Sequence, residues 1–391
     1  MMVDTRVPTA DGRKHRSVPS LVRQTDSVPT APVHRFASDN NAGVHPAVLD
    51  AIARANAGHA TAYGDDEWTV RANGLFDDLF GRPVDTFMVW GGTGANVLAL
   101  ATMLSPAGAV VCTDSSHINV DETGAPERVL GAKLIDVPHR NGKLVPEQIE
   151  EFAHFRGVMH HVQPSVVSIT QSTEWGTLYS PDEIAAICEA AHRLGMTVHL
   201  DGARIANATV ALGGDVAALR SFTVDAGVDV VSFGGAKNGM MHGEAVVYLN
   251  RSLSSSAQYV RKQVTQLPSK VRYISAQFIA LLENDLWIAN ARHANDMAQV
   301  LYSAVRDIPG VELTGPPAVN SLYPALPPTL IEPLRDWSFF YDWDVHRHQV
   351  RWMTAWDTTP AVSRHSPRVS DISPARPDPL PRPDQRHTGL Y

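Results

Sequence analysis

The sequence predicts an α/β fold built around a mostly parallel β-sheet. Short apolar runs recur along the chain, and amphipathic helical segments lie between them. The apolar runs are continuous rather than alternating with polar residues, so each strand is expected to be buried on both faces, which is typical of a parallel sheet covered by helices. With 391 residues, of which 44% are hydrophobic, the chain is long enough to bury a large core.

Seven apolar runs are predicted to be the strands of this sheet. They are residues 86–90, 109–112, 132–137, 165–170, 197–200, 228–233 and 244–249. Residues 95–104 and 181–195 are predicted helices between them. In the second helix, Ser180 is the expected N-cap, Pro181 lies at the first position and Gly195 is the expected C-cap.

The predicted domain organisation has four parts. In chain order they are a disordered extension (1–33), a large domain (34–280), a small α+β C-terminal domain (281–359) and a Pro-rich tail (360–391). A helical region covers about 254–306, and 311–315 and 350–357 are strand candidates that follow it. The tail has seven prolines in 32 residues, and we expect it to be disordered because proline cannot continue a helix.

Composition narrows the range of partners and compartments. The net charge of −8 argues against nucleic acid or an anionic membrane as a partner, so small molecules and copies of the same chain are expected. No run approaches the roughly 18–20 apolar residues of a membrane span, and the N-terminus lacks the apolar stretch of a secretory signal. Cys112 and Cys188 each lie in an apolar run, which favours a reducing, cytoplasmic location without disulfides.

Residues 89–100 combine a strand end, a Gly-Gly-Thr-Gly turn and the start of a helix. Free backbone N–H groups, the Thr93 hydroxyl and the positive end of the helix converge near Gly92, which suits a phosphate group. The glycine spacing is not that of a dinucleotide fingerprint, and the lysine of a P-loop is missing. Taken alone, the turn is interpreted either as a phosphate site or as a plain tight turn.

Several ionisable residues follow predicted strands, where open α/β sheets bind their ligands. His117 and Glu122 follow one strand and Glu174 follows another, although each taken alone is also compatible with a structural histidine or a solvated loop carboxylate. Asp201 lies at a buried strand end, and a carboxylate there needs a cationic partner. Two interpretations stay open: an ion pair with Arg204, or a contact with the protonated nitrogen of a ligand.

Lys237 follows a buried strand and is flanked by Gly234, Gly235 and Gly239. Burial disfavours the ammonium form, so the amine becomes available as a nucleophile that can form a Schiff base. The glycines leave room for a flat ring. Lys237, the turn at Gly92 and the carboxylate of Asp201 match the three functional groups of pyridoxal 5′-phosphate, which are the aldehyde, the phosphate and the pyridine nitrogen, respectively.

Seven motifs, in the same order as in a known family, resemble low-specificity L-threonine aldolase, a pyridoxal-phosphate enzyme of the aspartate aminotransferase fold. They are residues 37–46, 62–69, 91–96, 117–124, 199–207, 232–239 and 350–359. The resemblance covers about residues 35–359. It implies a carbon–carbon lyase that cleaves L-threonine, L-allo-threonine and related β-hydroxy-α-amino acids to glycine and an aldehyde, in a homo-oligomer that is a dimer of dimers.

The resemblance also implies roles for individual residues, and no metal site. The cofactor would be held by Gly92 and Thr93 at the phosphate, His117 stacked on the ring, Asp201 at the ring nitrogen and Lys237 at the aldehyde. The substrate carboxylate would be bound by Ser38, Arg204 and Arg351, and Arg204 would also contribute to the cofactor site. Lys270 and Arg272 would reach the phosphate of a neighbouring subunit.

The base that removes the β-hydroxyl proton is expected to be His117, alone or with Glu174 or a water. Two alternatives to the aldolase stay open. One is another pyridoxal-phosphate lyase on the same fold, such as a β-eliminating, tryptophanase-like enzyme. The other is a catalytically impaired scaffold, because the chain after Thr359 departs from the acidic, helix-forming tail of the family, either as a divergent tail or through a shifted reading frame.

Overall fold

The computed structural model describes residues 35–360. The predicted extension, residues 1–33, lies outside the described residues. So does the predicted Pro-rich tail, apart from Pro360. The predicted boundary near residue 280 between a large and a small domain also stays a prediction.

The described chain forms ten strands and thirteen α-helices. The strands are β1 (Asp85–Val89), β2 (Gly108–Thr113), β3 (Lys133–Val137), β4 (Gln163–Thr170), β5 (Thr197–Gly202), β6 (Val230–Phe233), β7 (Glu244–Tyr248), β8 (Ser321–Leu322), β9 (Tyr341–Asp344) and β10 (Gln349–Met353). The α-helices are α1 (Pro46–Ala55), α2 (Glu67–Phe80), α3 (Gly92–Met103), α4 (His117–Val120), α5 (Ala125–Leu130), α6 (Pro146–Glu150), α7 (Pro181–Arg193), α8 (Ile205–Leu212), α9 (Val216–Ser221), α10 (Ala257–Gln263), α11 (Arg272–Leu282), α12 (Leu286–Val305) and α13 (Pro328–Trp337). Short 3₁₀ helices cover Asp39–Asn41, Glu151–Phe155, Ala236–Asn238, Arg251–Leu253, Glu283–Asp285 and Val345–Arg347.

The large sheet has seven strands in the order β1-β7-β6-β5-β4-β2-β3. The pairs β2–β3, β2–β4, β4–β5 and β5–β6 are parallel, whereas β7 runs antiparallel to both β6 and β1. The predicted α/β class with a mostly parallel sheet is therefore confirmed, and each of the seven predicted strands is present. The carboxyl ends of β1 to β6 and the amino end of β7 consequently lie at one edge of the sheet.

The apolar strands are buried as their composition predicts. Every residue of β2, β6 and β7 is buried, and valine is the most frequent residue in these three strands. Branched side chains pack well on both faces of a pleated sheet that helices cover. This central packing gives the site a rigid base.

Helix α7 shows how local sequence sets an element boundary. The Ser180 hydroxyl accepts a hydrogen bond from the Glu183 N–H (3.1 Å), and the Glu183 carboxylate accepts one from the Ser180 N–H (2.7 Å). This reciprocal pair is a capping box. The predicted C-cap is one residue late: Leu194 is the C-cap, and Gly195 follows it with φ +64°, the left-handed conformation that glycine adopts without strain.

The second sheet has three strands in the order β8-β10-β9, and both pairs are antiparallel. Strand β10 confirms the strand predicted within 350–357. The strand predicted at 311–315 is wrong, because that segment makes only one isolated bridge, between Glu312 and Ala325. Pro316 and Pro317 follow directly and lack the N–H groups that would extend the pairing.

The helical region predicted over about 254–306 is present as α10, α11 and α12. Helix α12 is the longest of the three, with 20 residues. Across residues 35–360, no helix is both long and apolar enough to cross a lipid bilayer.

Candidate active site

One pocket lies at the edge of the large sheet where β1 to β6 end. Its lining comes from the loops that follow five of these strands and comprises Gly92, Asn96, His117, Glu122, Thr170, Ser172, Glu174, Asp201, Ala203, Arg204 and Lys237. Six of these residues were predicted site residues: Gly92, His117, Glu174, Asp201, Arg204 and Lys237. The topology thus brings together side chains that are up to 145 positions apart in the sequence, from 92 to 237.

The first turn of α3 forms the phosphate end of the pocket. Helix α3 begins at Gly92 with Gly91 as an extended N-cap, so the N–H groups of its first turn have no partner within the helix. A Cβ at either glycine would meet no atom within 4 Å, whereas a Cβ at Gly94 would lie 2.2 Å from the Gln266 carboxamide. The turn therefore leaves open space in front of the helix and is closed behind by Gln266, as an anion cradle requires.

Asp201 lies at the end of β5 and is 5% exposed. Its Oδ2 accepts a hydrogen bond from Asn96 Nδ2 (2.9 Å), and its Oδ1 accepts one from the Ala203 N–H (2.9 Å). Burial alone would raise the pKa of Asp201, but the charges of His117 and His199 and the bond from Asn96 outweigh it and hold the pKa below its usual range. Asp201 is therefore a buried, ionised carboxylate.

Arg204, the partner of Asp201 in one of the two interpretations left open by the sequence, pairs with another carboxylate. In the described chain Arg204 makes a bidentate ion pair with Asp39, with Nε to Oδ2 at 2.7 Å and Nη2 to Oδ1 at 2.9 Å. Asn320 Nδ2 also donates to Asp39 Oδ2 (3.1 Å). The interpretation of Asp201 and Arg204 as an ion pair is therefore wrong, because both donors that Arg204 directs at a carboxylate point to Asp39.

Asp39 was missed by the sequence reading. It is buried, and the charge of Arg204 overcomes the effect of burial to hold its pKa below the usual range. Its only sequence signal is its position beside Ser38 in the motif at 37–46. A single sequence does not connect that segment to Arg204, which is 165 residues away.

His117 is held by two carboxylates. Its Nδ1 lies 2.8 Å from Glu122 Oε1, and its backbone N–H donates to Glu174 Oε1 (2.8 Å). Burial would lower the pKa of His117, but the bond to Glu122 and the charge of Asp201 raise it above its usual value. The geometry fits a proton at Nδ1 and leaves Nε2 as the ring nitrogen for a ligand.

Asn96 links this histidine pair to Asp201. Its amide nitrogen donates to Glu122 Oε1 (2.8 Å) as well as to Asp201. The ligand atoms of His117, Glu122 and Asp201 lie within 4.8 Å of one another, a spacing that a metal ion could use. One oxygen of each carboxylate already accepts a hydrogen bond from Asn96 Nδ2.

Glu174 is enclosed rather than solvated. Its Oε1 accepts hydrogen bonds from the Thr170 hydroxyl (2.8 Å) and from the His117 N–H. Its Oε2 is buried and has no hydrogen-bond partner among residues 35–360, and burial raises the pKa of this carboxyl above its usual value. The interpretation of Glu174 as a solvated loop carboxylate is therefore wrong, since both oxygens lie inside the pocket wall.

Lys237 lies in a tight turn directly after β6. A Cβ at Gly234 would lie 2.3 Å from the Ala203 carbonyl oxygen, so a side chain there would clash with backbone. A Cβ at Gly235 would lie 2.4 Å from the Met240 sulfur, so a side chain there would require Met240 to move. Burial and the nearby charge of Arg204 lower the pKa of Lys237, against the opposing effect of the surrounding carboxylates. The amine therefore loses its proton more readily than a surface lysine.

Two predicted substrate residues reach the neighbourhood of the pocket without lining it. The Ser38 hydroxyl accepts a hydrogen bond from the Asn40 N–H (3.2 Å) and faces an adjacent cleft. Arg351, on β10, lies over the ring of Trp343 at 5.2 Å. Burial and the charge of Arg204 lower the pKa of Arg351, and its Nε is buried with no partner in the described part of the chain.

The predicted phosphate contacts Lys270 and Arg272 do not line this pocket within one chain. Arg272 donates to the Gly58 carbonyl (3.3 Å) and stacks on the Tyr273 ring (5.1 Å). Lys270 lines a separate surface groove together with Tyr273 and Trp90. Trp90 directly precedes the glycine turn of the phosphate end.

The residues present fit pyridoxal 5′-phosphate. The open cradle at the start of α3 suits the phosphate, the ionised Asp201 suits a protonated ring nitrogen, and the amine of Lys237 suits the aldehyde. Glu174 Oε2 and Arg351 Nε are among the buried polar atoms of residues 35–360 that have no hydrogen-bond partner, and a bound ligand would satisfy groups of this kind.

Comparison with known proteins gives consistent matches. The beta-eliminating lyase family model matches residues 35–323. The chain is 43% identical over 331 residues to a low specificity L-threonine aldolase from Pseudomonas sp., covering 84% of this chain and 95% of that protein. It is 42% identical to a low specificity L-threonine aldolase from Pseudomonas aeruginosa, covering 83% and 93%. A threonine aldolase structure from Leishmania major superposes with a TM-score of 0.79 at 32% identity, covering 84% of this chain and 96% of that one.

Proposed function

Because the chain belongs to the beta-eliminating lyase family, we propose that it cleaves L-threonine, L-allo-threonine and related β-hydroxy-α-amino acids to glycine and an aldehyde, with pyridoxal 5′-phosphate as cofactor. The observation that carries this proposal is the position of Lys237. Its amine lies in one pocket with the ionised Asp201 and the open first turn of α3. The matches to threonine aldolases over more than four-fifths of the chain support the reaction type.

When bound, pyridoxal 5′-phosphate supplies an electron sink that accepts the electron pair of the Cα–Cβ bond as that bond breaks. The chain provides what this chemistry needs. The N–H groups of the α3 first turn and the Thr93 hydroxyl would hold the phosphate. Asp201, whose orientation is fixed by its bonds from Asn96 and Ala203, would keep a proton at the ring nitrogen. Lys237 would supply the amine for the aldehyde.

The substrate carboxylate is bound by Arg204 and Arg351 in this proposal. Asp39 holds the Nε edge of Arg204 and thereby directs the rest of the guanidinium toward a ligand. Arg351 contributes its unpaired Nε, and Ser38 adds a hydroxyl from the adjacent cleft. Two guanidinium groups that bind one carboxylate orient the bond to be cleaved, since the planar forks fix both position and angle.

The proton of the β-hydroxyl leaves as the aldehyde C=O bond forms and the Cα–Cβ bond breaks. His117 Nε2 and Glu174 Oε2 are the two groups proposed to take this proton. His117 has a raised pKa and keeps its own proton to higher pH, whereas the raised pKa of Glu174 makes its carboxylate a stronger base than a surface glutamate. The two therefore differ in the pH at which they act as a base.

The test is product analysis of the purified protein with pyridoxal 5′-phosphate and L-threonine. We expect equal amounts of glycine and acetaldehyde, and an absorption band that borohydride abolishes. Lys237→Ala should lose both the band and nearly all turnover, whereas Lys133→Ala, at an exposed position on β3, should keep them. Pyruvate and ammonia as products, or an active Lys237→Ala variant, would contradict the proposal.

We further propose that a second copy of the chain completes the site, in a dimer that pairs into a dimer of dimers. Leu49, Trp90 and Met241 are large apolar side chains that are each about half exposed, and they line one groove with Lys270 and Tyr273. Such an apolar groove favours burial against another protein surface. Its position beside the glycine turn supports the expectation that Lys270 and Arg272 approach the phosphate of a partner subunit.

A cytoplasmic location is part of the same proposal. Cys112 and Cys188 are buried and unpaired, which suits a reducing compartment.

A further inference from the structure

A buried glutamate lies behind the lysine turn. Glu244 is the first residue of β7 and is only 7% exposed. Its neighbours in the sheet are Val89, at the carboxyl end of β1, and the turn after β6. A carboxylate buried among strands is costly unless hydrogen bonds and charges compensate it, and the proposed reaction assigns Glu244 no role.

The hydrogen bonds of Glu244 go to the turn that carries Lys237. Oε2 accepts a hydrogen bond from the Gly235 N–H (2.5 Å), and the Ala236 N–H also donates to this carboxylate. These are the two residues directly before Lys237. Gly234 and Gly235 have no side chains, so the Glu244 carboxylate supplies a side-chain contact that this part of the turn cannot supply itself.

Glu244 also acts on Lys237 through its charge. The two groups are close enough that each affects the pKa of the other. Arg204 and a protonated His117 also face Lys237 and disfavour the ammonium form, whereas Asp39 and Asp201 favour it. Asp201 also faces Glu244 and disfavours its ionisation.

We propose that Glu244 is a positioning residue that fixes the Gly235–Ala236 turn and, through its own protonation, controls whether Lys237 carries a proton. This inference rests on the proposed function, in which the free amine of Lys237 is the reactive group. A protonated Glu244 removes one of the negative charges that stabilise the ammonium, so the amine becomes free at lower pH. An ionised Glu244 retains the proton on Lys237.

The titration range of Glu244 suits this role. Burial raises its pKa to about 7, although the N–H groups of the turn and the charge of Lys237 oppose the shift. The pair therefore titrates in two coupled steps rather than as two independent groups. In Glu244→Gln the side chain keeps an acceptor oxygen but has no charge at any pH. Only the titration of Lys237 then remains, and it should occur at lower pH than in the wild type.

The test is trace labelling of the cofactor-free protein with acetic anhydride across a pH series, with the peptide that contains Lys237 quantified by mass spectrometry. Glu244→Gln should move the midpoint of labelling to lower pH by roughly one unit. At a fixed pH below both midpoints, Lys237 of the variant should then be labelled about ten times faster than Lys237 of the wild type. Asp229→Asn is the matched control. Asp229 is buried and accepts a hydrogen bond from the Val198 N–H (2.8 Å) at the opposite edge of the same sheet, so its variant should leave the midpoint unchanged.

An unchanged midpoint in Glu244→Gln would overturn the inference. If that variant does not fold, Glu244→Asp decides the question. Its carboxylate is one methylene shorter and therefore lies farther from Lys237, so the midpoint should shift in the same direction but by less. No shift in Glu244→Asp also overturns the inference. Failure of the proposed function has a different signature. In that case the wild-type protein forms no borohydride-reducible adduct with pyridoxal 5′-phosphate, whatever residue occupies position 244.

Discussion

Replacement of Asp201 by asparagine separates the charge of this residue from its shape. Both oxygens of Asp201 accept hydrogen bonds, from Asn96 Nδ2 and from the Ala203 N–H. Asparagine offers only one acceptor oxygen, so its own NH₂ group faces one of these donors. A buried donor without an acceptor costs about 1–3 kcal/mol, partly offset because the variant no longer buries a charge.

The stability cost should depend on pH. The folded-state pKa of Asp201 is lowered, so its ionised form stabilises the wild-type fold above the ordinary pKa of an unfolded aspartate, about 3.9. That contribution is lost as the pH falls through the lower folded-state value. The difference in unfolding free energy between wild type and Asp201→Asn should therefore shrink as the solution becomes more acidic.

The catalytic cost should be larger than the cost in stability. A carboxylate close to a cationic nitrogen shifts the pKa of its partner by about 1–3 units. Without that charge the cofactor nitrogen keeps its proton less often, so kcat should fall by about 10- to 1000-fold. The attachment of cofactor to Lys237 should survive.

Three measurements on each variant test this reasoning. They are kcat from aldehyde release, the borohydride-reducible absorption band, and urea unfolding of the cofactor-free protein at several pH values. Asp229→Asn is a control at a buried carboxylate outside the pocket, and it should lose stability without the same loss of kcat in the fraction that stays folded. A wild-type kcat in Asp201→Asn would refute the assignment of Asp201 to the ring nitrogen.

The remaining predictions concern the base and the groove. If Glu174 is the base, kcat should fall as the pH drops through the raised pKa of this carboxyl. Glu174→Gln should then abolish this acidic fall in the pH–kcat profile. A fall that persists in the variant, at the raised pKa of His117, assigns the base to that histidine. Leu49→Asp should weaken self-association measured by sedimentation without unfolding the chain, because Leu49 is 46% exposed. Val70→Asp, exposed but outside the groove, is its control, and equal association of both variants would contradict the dimer groove.

The large sheet could be predicted because burial on both faces leaves a local signal. A run such as residues 109–112 is apolar at every position, and it forms the middle of β2. The small sheet lacks this signal. Strand β8 has two residues, and β9 reads Tyr-Asp-Trp-Asp with both of its first two residues exposed. Neither strand has the length or the pattern that distinguishes a strand from a loop.

The candidate site was predictable to the extent that its residues follow strands. His117, Asp201 and Lys237 each come shortly after an apolar run, and the carboxyl ends of parallel strands meet at one edge. Asp39 has no such signal because it precedes every predicted strand, and Asn96 follows one but lies within the predicted helix 95–104. They act on residues 165 and 105 positions away. The ion pair between Asp201 and Arg204, one of the two interpretations left open by the sequence, relied on proximity along the chain, whereas the carboxylate that Arg204 binds is distant in sequence.

The direction of β7 explains why Glu244 was also missed. Residues after β1, β2, β4, β5 and β6 reach the pocket edge from the carboxyl ends of these strands, whereas β7 runs antiparallel to β6 and β1 and brings its amino end there. In the described seven-stranded sheet, this is the one strand whose first residue faces the site. A prediction that looks for site residues only after the carboxyl ends of strands therefore misses a glutamate at the first position of an apolar strand.

The same reversal has a physical consequence for the lysine. Residues in the loops after parallel strands can move with their loops, but Glu244 is anchored within a strand paired on both sides. Its carboxylate is therefore held by the sheet itself while it binds the N–H groups of Gly235 and Ala236. A carboxylate held in this way ties the turn to the rigid sheet. The position of Lys237 is therefore set more by the sheet than by the loop in which it lies.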